Sequence, residues 1–147
     1  MQIPFVKMHG CGNDFIMVDD PAGRFGWDDL SAVARRFCPR RFGVGADGLI
    51  VVGHGPLAGE DWPAGTDYEM RYVNADGSRA EMCGNGIRCL GRFAADVLED
   101  GREEFKVLTG NGVLPIRLAR GSGGAVESVT VGMGVPRLNS EEIPTTI

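Results

Sequence analysis

A cysteine set between a polar turn and the start of a helical pattern carries the clearest chemistry in the chain. The turn is Asn74-Ala75-Asp76-Gly77-Ser78, and the run that follows is Met82-Cys83-Gly84-Asn85-Gly86-Ile87-Arg88-Cys89. A thiol at a helix start faces N–H groups with no intrahelical partner and the positive end of the helix dipole, which favours thiolate. The same amides are able to hold a carboxylate. Gly84 and Gly86 let backbone approach a ligand closely, and Asn85 reads as the N-cap. The result is a nucleophile or a base beside an anion hook, with both roles open.

The elements that must position this site follow from periodicity. Ile87, Leu90, Phe93, Ala94, Val97 and Leu98 recur at helical spacing, so a helix is predicted from Asn85 to Leu98. Upstream, Ile3 to Met8 reads as a strand, His9-Gly10-Cys11-Gly12-Asn13-Asp14 as a polar glycine turn, and Phe15 to Val18 as a second strand. Trp27 to Cys38 reads as a helix, with Leu30, Val33, Ala34 and Phe37 on one face and Pro39 ending it. Leu49 to Val52 and Tyr68 to Val73 read as strands, joined by a Gly- and Pro-rich surface loop over residues 53–66. Phe105 to Leu108, Val113 to Leu118 and Val129 to Val131 complete the strands, with Gly121-Ser122-Gly123-Gly124 as a hairpin turn. Strands outnumber helices and are mostly joined by short turns. The fold class is therefore α+β, a mixed sheet curling around the second helix.

Composition narrows the function. In 147 residues the hydrophobic share is 43%, enough for one domain core and too high for a disordered chain. The net charge of −5, without a basic run, argues against nucleic acid or an anionic membrane surface as partner. Leu49 to Val52 is far too short to span a bilayer, and the start of the chain lacks a signal-peptide layout, so a cytoplasmic protein is the expectation. In that setting Cys11, Cys38, Cys83 and Cys89 read as free thiols. A zinc site from His9, Cys11 and His54 is set aside because its spacing is weak, and no metal is expected.

Several motifs are more simply structural. Gly43-Val44-Gly45-Ala46-Asp47-Gly48 matches the dinucleotide fingerprint by letter. That fingerprint needs a strand before it and a helix after it; here the order is reversed, so it reads as a tight turn into a strand. Asp76 and Ser78 read as turn formers, Met70 and Met82 as packing residues, and Cys38 and Cys89 as structural or core thiols. His9 and His54 fall in loops with no acidic partner marked by sequence, and Arg88 reads as a surface arginine able to steady an acidic ligand. Asn13 and Asn74 would be ordinary turn asparagines taken singly. Their side chains offer both donors and acceptors, which suits an amino-acid-like ligand.

Taken together, Lys7-Met8-His9-Gly10-x-Gly12-Asn13-Asp14-Phe15, Gly45-Ala46-Asp47-Gly48, Asn74 to Ser78 and Cys83-Gly84-Asn85-Gly86-x-Arg88-Cys89 closely resemble diaminopimelate epimerase, from Met1 to about Pro144. The resemblance implies cofactor-independent epimerisation of LL-diaminopimelate to the meso form, in lysine and cell-wall synthesis, by two cysteines on opposite faces of the α-carbon. By position it gives Cys83 a catalytic role and makes Asn13, Asn74 and the Gly84 and Asn85 amides substrate-binding groups. Gly48 stands where some members carry a substrate-contacting glutamine, and Cys11 where leucine is usual, read as a packing substitution. The resemblance also implies a chain close to twice as long, so residues 1–133 are expected to form an N-terminal domain and 134–147 the start of a linker. The C-terminal domain, with the second cysteine, would be missing. Without that cysteine the chain alone is expected to be inactive. A homodimer imitating the missing half, a non-catalytic amino-acid-binding module, and a racemase of the same superfamily with another substrate are the competing expectations.

Overall fold

Alternation along the central strands builds two cores on one sheet. A computed structural model describes residues 2–56, 60–136, 138, 139, 141 and 143. The elements run in the order β1 (Val6–Gly10), β2 (Asn13–Asp20), α1 (Trp27–Phe37), β3 (Gly48–Gly53), β4 (Tyr68–Asn74), β5 (Arg79–Ala80), α2 (Gly84–Asp96), β6 (Glu104–Thr109), β7 (Gly112–Arg120) and β8 (Val126–Val131). In β2 and β3, Phe15, Met17, Ile50 and Val52 face the α2 side, while Ile16, Val18, Leu49 and Val51 face the α1 side. Both faces are covered, which is why β3 is a continuous apolar run.

The sheet order is β1-β2-β3-β4-β6-β7-β8, with β5 paired to β4. Two pairs are parallel, β2 with β3 and β4 with β6, and each is bridged by a helix as such a crossover requires. α1 packs on β3 and β4. On the other face α2 touches β1 and β2 at one end of the strand order and β7 and β8 at the other, so the sheet curls around it. Ile87, Leu90, Phe93 and Ala94 are its buried stripe, each large side chain contributing about 1.5–3 kcal/mol on burial. Gly91 makes the close approach possible: a Cβ there would fall 2.8 Å from Val129 Cγ1. The expected α+β architecture, a curled mixed sheet around the second helix, is the architecture observed.

Four local readings change. The first strand begins at Val6 and runs through His9 and Gly10, so His9 is a strand residue and not a loop residue. The glycine turn shrinks to Cys11 and Gly12, with φ of 55° and 86°, between the paired residues Gly10 and Asn13. Positive φ at both central residues is what a two-residue hairpin of this twist needs. Cys11 is exposed at its tip, so it is not the packing residue expected. The short strand β5 had no sequence signal at two residues long. Parts of the expected 53–66 loop and of the 134–147 segment, with the end of the chain, lie outside the described residues.

Charge is also buried. Arg71 is 0% exposed, paired with Asp20 at 3.4 Å and Glu69 at 3.3 Å, and donates to the Phe25 carbonyl at 3.0 Å. Asp20 also accepts from the Arg24 and Phe25 N–H groups, and these bonds together with Arg24 and Arg71 hold its carboxyl below the ordinary range despite burial.

Candidate active site

Cys83, not Asn85, caps α2. Its backbone is extended, its carbonyl accepts from Ile87 N–H at 2.8 Å, and its Sγ accepts from Gly86 N–H at 3.5 Å. A thiol is an uncommon cap, which is why the better-ranked asparagine drew the sequence reading. As first and second helical residues, Gly84 and Asn85 have N–H groups with no partner among the described residues, as the first turn of a helix leaves them.

The two glycines flanking Asn85 do different things. A Cβ on Gly84 would meet nothing closer than Arg88 Nη1 at 3.9 Å, leaving that side open to a ligand. A Cβ on Gly86 would fall 2.7 Å from Ile50 Cδ1, so Gly86 is glycine for core packing and not for a ligand. Gly10 brings the β1 end against the helix start, where a Cβ would fall 2.9 Å from the Asn85 carbonyl oxygen.

Asn13, the first residue of β2, joins Cys83 directly. Cys83 Sγ stands 3.5 Å from Asn13 Oδ1, and Asn85 Nδ2 donates to the same oxygen at 3.4 Å. Arg88 folds back over the first turn of α2. It donates to the Gly84 carbonyl at 2.8 Å and to Asn85 Oδ1 at 2.5 Å, so it orients Asn85 and is not a free surface arginine. Asn74 ends β4 opposite Gly48 and donates to Ser78 Oγ at 3.0 Å; it makes no bond to Cys83. It reaches the cluster through the sheet, where Ala75 N–H donates to the Asp47 carbonyl at 3.0 Å. Asp76 accepts from both Ser78 N–H and Oγ, the turn role read from sequence.

Asn13 also reaches a charged network that sequence reasoning missed. Its Nδ2 donates to Asp47 Oδ2 at 2.8 Å. Arg40 bridges Asp47 at 2.8 Å and Asp14 at 2.7 and 3.0 Å, and Lys7 pairs with Asp14. Arg40 and Lys7 hold the Asp14 carboxyl far below the ordinary carboxylate range. The bond from Asn13, aided by Asp14 N–H and Arg40, also lowers the Asp47 carboxyl from its ordinary value. Asp14 and Asp47 lie inside quoted motifs, but nothing in the sequence pairs residues 33 positions apart.

The remaining motifs fall where their chemistry is small. Residues 39–47 cap the end of α1, with Gly43, Gly45 and Ala46 N–H groups all donating to carbonyls of residues 37–39. Those amides are spent, so the turn is no phosphate cradle. At Gly48 a Cβ would fall 2.5 Å from Tyr72 Cε2, so the tyrosine ring occupies the room a side chain would need. Burial pushes the Tyr72 phenol up, with the charges of Cys83 and Asp47 adding to it. Cys89 is core and pushed up to about 11 by burial, and burial likewise raises Cys38. His54 has a partner after all, Asp19 at 2.7 Å, and its ring packs edge-on to Tyr68.

This geometry, a half-buried thiol at a helix start with open amides beside it, sits on a fold shared with several solved structures. The chain superposes on the phenazine biosynthesis PhzF-family protein of Enterococcus faecalis with a TM-score of 0.62 at 10% identity, over 81% of this chain and 41% of the other. At that identity the likeness defines the fold alone. Sequence goes further, since the family model described as diaminopimelate epimerase matches residues 5–139. The chain is 45% identical to the diaminopimelate epimerase of Gloeothece citriformis over 100% of its length and 48% of the relative's. It is 48% identical to that of Moorella thermoacetica over 95% of its length and 47% of the relative's. The chain belongs to the diaminopimelate epimerase family, a family of isomerases, and spans about half the length of these relatives. No helix among the described residues is long and apolar enough to cross a membrane.

Proposed function

We propose that this chain forms one side of a cytoplasmic, cofactor-independent epimerase site that acts on the α-carbon of LL-diaminopimelate. The observation that carries the reading is Cys83 as the cap of α2, followed directly by the Gly84 and Asn85 N–H groups, which have no partner among the described residues. The amides bind the substrate carboxylate, and Asn13, Asn74 and Asn85 offer donors and acceptors to the rest of the amino acid. The Cys83 thiolate takes the α-proton, the C–H electron pair moves toward the carboxylate, and the charge that develops there faces the helix start. A proton delivered to the opposite face by a second thiol completes the inversion. Residues 1–133 act as an N-terminal domain, and the second thiol comes from a companion domain or a second copy of the chain.

Competition between substrate and a thiol reagent tests the reading. Iodoacetamide should modify Cys83 faster than the buried Cys38 and Cys89, and LL-diaminopimelate should slow that reaction selectively. Equal, slow reaction at the three thiols, with no protection, would instead fit a binding module whose cysteine is idle.

A further inference from the structure

The Asn13 carboxamide sits between a carboxylate and a thiol, and its two ends are nearly equal in size. Shape alone does not choose which end faces which neighbour; hydrogen-bond chemistry does. Asp47 is ionised and only accepts, so the amide nitrogen must face Asp47 Oδ2, where it stands at 2.8 Å. The amide oxygen is thereby turned to Cys83 Sγ at 3.5 Å and Asn85 Nδ2 at 3.4 Å. Asp47 is itself fixed from three sides. Arg40 Nη2 holds Oδ1 at 2.8 Å, Asp14 N–H donates to Oδ2 at 3.2 Å, and its backbone carbonyl accepts from Ala75.

We propose that Asp47 is a positioning residue for the Cys83 thiol, acting through Asn13. An amide oxygen facing sulfur accepts from S–H and so favours the protonated thiol, whereas the Gly86 N–H favours the thiolate. With the amide reversed, both neighbours would donate to sulfur and only the thiolate would be favoured. Asp47 thus keeps Cys83 able to give a proton as well as take one, which epimerisation in both directions requires. The inference rests on Cys83 being the proton carrier, but its test reads the thiol and not turnover, so the two readings fail separately.

The test is iodoacetamide modification of Cys83 in Asp47→Asn, followed site by site by mass spectrometry at pH 7 and pH 10.5. In Asp47→Asn the Arg40 guanidinium claims the one remaining side-chain oxygen, so the new amide nitrogen faces Asn13. Asn13 turns its own oxygen to it and its N–H to sulfur, giving up the 3.4 Å bond from Asn85. Modification at pH 7 should rise about three- to tenfold over the parent chain. At pH 10.5, where ordinary thiols are ionised, the two rates should converge. An unchanged rate at pH 7 overturns the proposal. So does an equal rise at both pH values, which means the substitution has merely opened the site. If Asp47→Asn does not fold, the parent chain reads the point directly by NMR. A scalar coupling from Asn13 Nδ2 across the hydrogen bond to the Asp47 carboxyl carbon is expected, and its absence in a folded spectrum overturns the assignment.

Discussion

Gly84 and Gly86 lie two residues apart in the first turn of one helix, and the same substitution should move them in opposite directions. Alanine at position 86 places its methyl 2.7 Å from Ile50 Cδ1, 3.4 Å from Cys83 Cβ and 3.6 Å from Phe15 Cζ. Ordinary carbon contacts begin near 3.5 Å, so either Ile50, which is 0% exposed, or the helix start must yield by nearly an ångström. Overpacking of this kind costs about 1–3 kcal/mol. The gain in helix propensity offsets about 1 kcal/mol, leaving Gly86→Ala roughly 0–2 kcal/mol less stable. Gly84→Ala meets open space and keeps only the propensity and chain-entropy gain, about 0.5–1 kcal/mol of stabilisation. Urea unfolding with matched m-values separates the two. Gly86→Ala should also slow Cys83 alkylation, because it moves the Gly86 N–H away from Sγ. Equal stabilities, or Gly86→Ala as the more stable variant, would refute the division of one glycine for packing and one for ligand access.

Three further perturbations follow from the charge and turn geometry. Arg71→Ala leaves Asp20 and Glu69 buried without their common cation, and urea unfolding should show a loss of about 3–5 kcal/mol. Cys11→Gly relieves a left-handed backbone at φ 55°, and thermal melting should show about 0.5–1 kcal/mol of stabilisation after the entropy cost of glycine. Arg40 and Lys7 hold Asp14 below its unfolded value, and Arg102 and Tyr68 do the same for Asp100. Because folding depresses these carboxyls, their stabilisation is complete above about pH 4 and is lost as pH falls further. Asp100→Asn should therefore flatten the fall in melting temperature below pH 4, and an unaltered acid limb would contradict that assignment.

What the sequence revealed was whatever depends on local period. Ile87, Leu90, Phe93 and Ala94 announced α2 because their spacing is the helix repeat, and Leu49 to Val52 announced a strand buried on both faces. Cys83 was legible as a thiol at a helix start even though its capping role went to Asn85, because the cap preference scale ranks asparagine highly and ignores sulfur. What stayed hidden depends on pairing across the fold. Asp47 acquires meaning only when the parallel register of β2 and β3 brings it to Asn13 and Asp14, and Gly86 reads as a ligand glycine until Ile50 is seen beneath it. His54 looked partnerless because Asp19 lies 35 positions away on a neighbouring strand. Cys11 was misread for a different reason: strand β1 continues two residues past its last clearly apolar position, which squeezes the turn onto the cysteine.

Proton transfer by Cys83 is tested most directly by incubating the chain with LL-diaminopimelate in D2O and following the α-proton by NMR. A single thiol on one face of the α-carbon predicts deuterium at that carbon with retained configuration, no meso product, and loss of the exchange in Cys83→Ala. Accumulation of meso-diaminopimelate with the monomeric chain, or exchange that survives Cys83→Ala, would contradict it.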